Sequence, residues 1–445
     1  MLNNITAWEQ QQQFIKSRNQ PNDLVASSRP AFIDQLADVG IDYPLPKRLT
    51  VGTNLFPEDN IIEERHVKFG LAGNDLVVSS ENPEEQFLLY SLATAGFSTA
   101  HAKEIIASKL NIVPEEIMTA TEKEAEPLTY QFLTLPRPDI IPALKTSFIR
   151  LDFKASQTKA LNKTEIIANA HTYVLRLYED FEINNFELRL DATQKYGILN
   201  FFPPRLFGDR LINHKLGKLL LQGQAELALR FFLFKTGRHE LPIIIDARQR
   251  AEKFFPDFTK IIKVFSTLPY SFSEELEILN ELASGQKAEQ VLKQKGYLVE
   301  RWLFCYNAWC FNRMLSKRSR EQGIIDEQIP LLSLVENNDD YKDILLSDEV
   351  NSLDIIVEQF QIKPWPSQNV PGRLRWIRQT HKFTQNILVL QFELLKHQLP
   401  DMVINHLFDF QNSLTTTAFI NHERVDAKQI LGQGSILTSL SKSSG

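Results

Sequence analysis

The sequence predicts an α+β fold in which a sheet-bearing frame is interrupted by a helix-rich insertion. Three observations predict it. Apolar runs of strand length, FLLYSL (residues 87–92) and YQFLTL (130–135), stand early in the chain. Another, ILVLQFEL (387–394), stands near its end. Between them, from Ile212 to about Arg320, KLGKLLLQGQAELALRFFLF, KFFPDFTKIIKVF, SEELEILNELASG and LVERWLFCYNAWCFNRMLSKR place apolar residues three and four apart, the helical period. The two halves of the frame are therefore far apart in sequence.

Taken in order, the first sixty residues are rich in Gln, Asn and Pro without a sustained period and read as an extension. Regular structure is expected from FLLYSL onward. Ser98 then caps a helix that carries Ile105, Ile106 and Leu110 on one face, and Pro114 suits the first turn of a short second helix. The charged stretch TEKEAEP (121–127) follows as a loop before YQFLTL. FELRL (186–190) alternates Phe186, Leu188 and Leu190 against Glu187 and Arg189 and reads as a strand, with HTYVLRLY (171–178) as its partner. MVINHLFDF (402–410) reads as a helix packed on ILVLQFEL. The resulting division is an N-terminal extension (1–60), a first part of the frame (61–210), the insertion (211–369), a second part of the frame (370–430) and a flexible tail (431–445).

With 445 residues, 43% of them hydrophobic, the chain is long enough for two or three domains with cores of their own. A net charge of −6 shows no chain-wide basic surface, so any RNA contact has to use a local basic face. Cys305 and Cys310 lack the repeated spacing of a zinc site and read as core thiols of a reducing compartment. The start, MLNNITAWEQQQQF, has neither the basic nor the apolar region of a secretory signal, and no run reaches membrane-span length. The expectation is a cytoplasmic protein.

No phosphate-binding glycine loop, His-Glu-x-x-His or nucleophile elbow occurs, which excludes the commonest cofactor enzymes. The distinctive stretch is KYGILNFFPPRLFGDRLINHKLGKLLLQG (195–223). Asn200 offers a donor and an acceptor, and Phe201 or Phe202 an aromatic face for a base. Arg205, Arg210, His214, Lys215 and Lys218 can hold phosphates. From the residues alone, a Pro-Pro turn with core phenylalanines and solvated basic residues explains the same stretch.

GILNFFPPRLFGDR resembles the signature of the TruD family of tRNA pseudouridine synthases, Gly-x-Pro-Asn-[Tyr/Phe]-Phe-Gly-x-Gln-Arg-Phe-Gly, with Gly197, Asn200, Phe201, Phe202, Phe207 and Gly208 in place. CYNAWCFNRMLSKR (305–318) is similar to a second family helix at Phe311, Asn312, Leu315, Ser316 and Arg318. VPEEIMTATEKEAEPLTYQ aligns with the catalytic segment Ile-Gly-Tyr-Ala-Gly-Leu-Lys-Asp-[Lys/Arg]-Arg-Ala-Val-Thr-x-Gln through Ile117, Ala120, Lys123, Thr129 and Gln131, and Glu124 stands at the place of the catalytic Asp. Met118 and Thr121 stand at its two glycines, and Ala125 and Glu126 at its basic pair. Pro203, Pro204, Arg205 and Leu206 stand for Gly-x-Gln-Arg, Leu399 falls at a later aromatic position, and DLVVSS (75–80) is the match for an amino-terminal Asp-Phe-x-Val-x-Glu pattern.

The resemblance implies a pseudouridine-synthase-like catalytic domain with a mixed, mainly antiparallel sheet, the helix-rich insertion opposite it, and RNA, in the first place tRNA, in the cleft between them. It implies no cofactor and no metal. Glu124 takes the catalytic position, acting at C1′ or C2′ of a flipped uridine ribose. Asn200 orients the catalytic loop or the flipped base, Phe202 stacks, and Lys123, Arg205, Arg210 and Lys215 contact phosphate or ribose. Glutamate carries the charge one methylene further than aspartate, and a misplacement of about 1 Å costs on the order of 10²-fold in rate, so impaired turnover is expected. The alternative is a non-catalytic RNA chaperone or protein-partner scaffold using the same cleft.

Overall fold

A computed structural model describes residues 49–52, 56–73, 82–123, 128–137, 144–146, 149–178, 181–208, 210–237, 240–322, 326–334, 338–350, 353, 355–363, 365, 368–396, 398–411 and 421–435. The chain forms two compact units. One contains Lys195–Leu374 with Asp401–His406, and the other contains Lys47–Gln194, Arg375–Pro400 and the chain from Leu407.

The second unit is built on a mixed, mainly antiparallel sheet. Its principal strands are β1 (Leu49–Gly52), β2 (Asn60–His66), β3 (Phe87–Thr94), β4 (Leu128–Pro136), β5 (Ile149–Gln157), β6 (Ile166–Leu177), β7 (Arg378–Thr384), β8 (Ile387–Leu395) and β9 (Phe408–Gln411). They run in the order β7-β8-β6-β2-β4-β3-β5, with β1 joined to β6 and β9. Among these strands only the pairs β2–β4 and β1–β9 are parallel. FLLYSL, YQFLTL and ILVLQFEL lie in β3, β4 and β8, whose near-continuous burial comes from cover on both faces.

Helix α1 (Thr99–Leu110) begins where Ser98 Oγ accepts the His101 N–H and ends where Asn111 turns left-handed. Its Ala102, Ile106 and Ala107 pack on Leu88, Tyr90 and Leu92 of β3. Pro114 opens a single 3₁₀ turn, Pro114–Glu116.

Four readings need correction. Strand structure begins before residue 87, in β1 and β2. The strand NIIEERH was obscured because Glu63 and Glu64 are charged in sequence yet wholly buried in the fold. FELRL is not a strand: it lies in helix α2 (Ile183–Tyr196), with Phe186, Arg189, Leu190 and Thr193 inward and Leu188 exposed. Positions i and i+4 share a face at both periods, so five residues cannot separate them. The Phe186 ring, stacked 5.7 Å from Phe408 and edge-on to Phe383 and His381, decides for the helix. HTYVLRLY is a strand, but its partners are β8 and β2. MVINHLFDF is helical only to Leu407, after which Phe408–Gln411 pairs with β1.

Buried ion pairs fasten residues 421–435 to this sheet. Arg176 on β6 and Asp59 are wholly buried and joined twice, at 2.9 and 3.0 Å. The other terminal guanidinium nitrogen, Nη1, donates to the carbonyls of Asn421 and Glu423. Lys428, in the helix Ala427–Leu431, pairs with Glu63 and lies over the Tyr130 ring. Ala427 joins Ile61, Leu128 and Val389 in the core beneath. The part of the expected tail up to Ser435 is thus structured, and residues 436–445 lie outside the described residues.

The other unit is helical from Asn213 to Gln322, in seven segments of 7 to 27 residues. Its helices Asn213–Leu221 and Gly296–Gln322 touch at Gly217, where a Cβ would meet the Trp302 carbonyl oxygen at 2.2 Å. Both cysteines are free and buried in the long helix.

Removing one partner of a buried ion pair strands the other. Arg176→Met is expected to lower unfolding stability by about 3–5 kcal/mol, read from urea denaturation. A change under about 1 kcal/mol would mean that Asp59 is not left uncompensated by the loss.

Candidate functional site

The charged loop hangs between two anchored ends. Upstream, Ile117 and Ala120 are buried, and Met118–Thr119 pairs with Thr134 and Leu133 of β4. Downstream, Leu128 enters β4 in the core. Residues 124–127, Glu124 among them, lie outside the described residues, so the geometry is that of the loop's ends.

Thr99, the first residue of α1, holds Lys123 by its backbone on both sides. Its Oγ1 accepts the Lys123 N–H at 2.7 Å, and its own N–H donates to the Lys123 carbonyl at 2.9 Å. The same hydroxyl donates to Gln131 Oε1 at 3.0 Å. Glu122 is tethered outward, accepting from Thr119 and pairing with Lys103 of α1 at 3.0 Å.

The Lys123 side chain turns to the sheet. Its Nζ donates to Asn169 Oδ1 at 2.8 Å and lies 3.7 Å from Glu64 Oε1. Glu64 sits where β2 and β4 part company: its Oε2 accepts the Phe132 N–H at 2.9 Å, and its Oε1 accepts from Thr121. Register places Asn169 opposite both Glu64 and Leu394. The residue that precedes position 124, a lysine, is therefore held beside a buried carboxylate and an amide.

Sequence reasoning missed Thr99, Glu64 and Asn169. A signal for one of them was present. In PEDNIIEE (57–64), Asp59, Ile62 and Glu64 fall at the Asp, Val and Glu places of the amino-terminal pattern sought at DLVVSS. Residues 75–80 lie outside the described residues. Thr99 and Asn169 carried no such mark, because their roles arise from packing across the sheet.

The aromatic signature lies in the other unit, where its residues lock one another. Gly197 has φ 73°, and a Cβ there would meet Arg373 Cδ at 2.4 Å. Asn200 is buried and donates from Nδ2 to the Pro371 carbonyl at 3.0 Å, while Ile198–Leu199 pairs with Arg373–Leu374. Phe201 is core. Phe202 is half-buried, edge-on to Phe304 and Phe311, and Asn312 closes on its backbone with bonds of 2.8 and 2.9 Å.

The basic residues that follow are differently employed. The Arg205 side chain lies outside the described residues. Arg210 donates to the Phe232 and Lys235 carbonyls and neighbours Glu240 and Glu275, and burial, with Arg248 beside it, pulls its pKa down to about 10. That placement makes it a tie between helices. Lys218 pairs with Asp348 at 3.1 Å. Lys215 is exposed, with a pKa lowered by partial desolvation and by Lys235. His214 is enclosed by Phe207 and Trp309, and burial pulls its pKa down to about 3, so it carries no charge for a phosphate at neutral pH. Leu399 is half-buried after β8.

The family model of tRNA pseudouridine synthase D (TruD) matches residues 55–354. A Thermococcus sibiricus protein described as a probable tRNA pseudouridine synthase D is 27% identical over 287 residues, covering 61% of this chain and 63% of that protein. A Thermococcus onnurineus protein of the same description is 26% identical over 283 residues, covering 62% of each. The chain thus spans less than two thirds of the length of these relatives. A crystal structure of a Methanosarcina mazei protein described as TruD superposes with a TM-score of 0.62 at 17% identity, over 85% of this chain and 98% of that one, a likeness of fold.

Two measurements test the geometry. Thr99→Val removes the acceptor of the Lys123 N–H, and a loss of about 1 kcal/mol there should speed hydrogen exchange of that amide about fivefold. His214 has a folded pKa below its unfolded one, so its neutral form supports the fold above about pH 6.5 and that support is lost as pH falls toward 3. Urea stability should fall by about 1.4 kcal/mol per pH unit in that window from this group, and less steeply in His214→Phe.

Proposed function

We propose that this chain, which belongs to the tRNA pseudouridine synthase D (TruD) family, binds tRNA and converts a uridine in it to pseudouridine, with turnover lowered by Glu124 at the position of the family aspartate. The observation that carries the reading is the double backbone clamp of Thr99 on Lys123, with Lys123 Nζ on Asn169 and beside Glu64. A nucleophile or base on a ribose needs its carrier loop held in place, because misplacement is costly in rate. The clamp supplies that constraint next to position 124.

In this reading the Glu124 carboxylate acts on the flipped nucleotide at C1′, as nucleophile, or at C2′, as base. The base detaches, rotates and rejoins through carbon. Lys123 keeps a positive charge beside the ribose and phosphate, Asn200 and Phe202 serve as polar and aromatic contacts, and Arg205 and Lys215 meet phosphate. Arg210 takes part indirectly, by holding its helices together. The reaction draws on no cofactor or metal, and the setting is cytoplasmic.

A second reading is favoured by the replacement of the basic pair after position 124 by Ala125 and Glu126, which sets a negative charge where a phosphate is expected. In it the chain binds RNA without turnover, as a chaperone or as a scaffold for a protein partner.

The test is incubation of the purified chain with unmodified tRNA transcripts and chemical mapping of pseudouridine, beside Glu124→Asp and Glu124→Ala. The expected outcome is slow conversion by the native chain, acceleration on the order of 10²-fold in Glu124→Asp, and none in Glu124→Ala. RNA binding without conversion in all three would establish the second reading instead.

A further inference from the structure

We infer that Lys163 and Lys396, with Lys68 beside them, form a phosphate-binding track at the Asn169 end of the sheet and supply the positive charge that the loop after Glu124 lacks. The inference rests on the RNA-binding reading above and adds the residues that carry its electrostatics.

The three lysines come from distant parts of the chain. Lys163 lies in the 3₁₀ turn Lys163–Glu165 that leads into β6, Lys68 in the turn after β2, and Lys396 in the turn after β8. The fold gathers them because β8, β6 and β2 are adjacent strands. The Val67 N–H donates to the Glu165 carbonyl at 2.8 Å, which seats the turn of Lys68 against that of Lys163. Lys396 Nζ contacts the Lys163 carbonyl. Its turn is pinned by two bonds between Leu395 and Gln398, the Leu395 N–H to Gln398 Oε1 at 3.1 Å and the Gln398 N–H to the Leu395 carbonyl at 3.2 Å.

This cluster is continuous with the candidate site. Asn169, which receives Lys123 Nζ, is paired with Leu394, two residues before Lys396. The carboxylates at this end are already engaged. Glu64 is buried under Thr121 and the Phe132 N–H, and Glu165 accepts the Asn162 N–H and lies 3.8 Å from His66. Lys68 and Lys163 are exposed. Their neighbours Val67, Ile167 and Leu395 are exposed apolar side chains, 65%, 42% and 51% accessible, on which sugar or base faces can rest. Clustered ammonium groups beside apolar surface, contiguous with the polar Lys123–Asn169–Glu64 group, suit a polyanion that also has non-polar faces. RNA fits that description better than an acidic peptide would.

The charge accounting explains the location. The loop retains Lys123 but carries Ala125 and Glu126 where the family pattern has a basic pair. Lys163 and Lys396, from the turns at the ends of two neighbouring strands, return the same charge.

The test uses the full chain and an unmodified tRNA transcript. Binding is followed by anisotropy from about 50 to 200 mM salt for the native chain and for Lys163→Gln/Lys396→Gln, with thermal melts to confirm that both are folded. Each lost phosphate contact should flatten the plot of log affinity against log salt by about 0.7 to 0.9, so the double variant should lose about 1.4 to 1.8 and its shortfall against the native chain should shrink about tenfold from the lowest to the highest salt. In the native complex, tRNA should shield both lysines from amine acylation. An unchanged slope, or full acylation under saturating tRNA, overturns the inference while the RNA-binding reading stands. If the native chain binds no tRNA at low salt, both fall.

Discussion

The Asp59–Arg176 ion pair is the constraint on which the sheet unit depends. A guanidinium and a carboxylate that are both wholly removed from water are costly unless their hydrogen-bonding groups are met, and here both terminal nitrogens of Arg176 recruit another segment, while its Nε has no hydrogen-bond partner among the described residues. Arg176 stands on β6 and Asp59 opens β2, so the pair fixes two neighbouring strands. The Arg176 Nη1 draws in the carbonyls of Asn421 and Glu423, from the far end of the chain. The Glu63–Lys428 pair repeats the device on the same strand. Apolar contacts such as Ala427 on Ile61 and Leu128 add attraction without direction, whereas the ion pairs specify where the segment lies.

From that anchored β2 the site follows. Glu64 follows two carboxylates, Asp59 just before the strand and Glu63 within it, that are committed to buried cations. Past Glu63 the parallel pairing with β4 stops, and Glu64 meets the next free amide, that of Phe132. A side chain thus completes what the backbone ladder leaves open. The same carboxylate receives Thr121 and neighbours Lys123, so the end of the ladder becomes the floor of the loop. Thr99 closes the loop from the helix side. The clamp joins α1, β4 and the loop through one hydroxyl, a geometry that needs the sheet and the helix packed together before any of its bonds can form.

Charge shows most plainly how sequence and structure differ in what they disclose. In the sequence, TEKEAEP and the basic residues from Arg205 to Lys218 look like solvated runs or phosphate contacts, with nothing to separate the two. In the fold, Glu122 is a tether to Lys103, Lys123 a buried-side contact to Asn169, Arg210 a tie between helices, Lys218 a partner of Asp348, and His214 an uncharged ring in an aromatic box. On the helix Asn213–Leu221, His214 and Lys218 lie one turn apart beside Lys215, and successive positions face different directions, so neighbours in sequence hold unlike employments there.

What the sequence determined by itself is what local patterns encode. The helical insertion, the cap at Ser98, the strands in YQFLTL and ILVLQFEL, and the spacing of Gly197, Asn200, Phe202 and Gly208 were all legible, because period, capping and a left-handed glycine are properties of short stretches. What tertiary structure decided is what depends on partners far away in the chain. FELRL became a helix because Phe186 finds Phe408 and Phe383, and NIIEERH became a central strand because Lys428 pairs with Glu63 and the Phe132 N–H bonds Glu64. Thr99 and Asn169 joined the site because β4, β6 and α1 meet there. The physical reason is common to all of them: burial and hydrogen-bond satisfaction belong to pairs of residues, and a chain read one residue at a time does not contain the pairs.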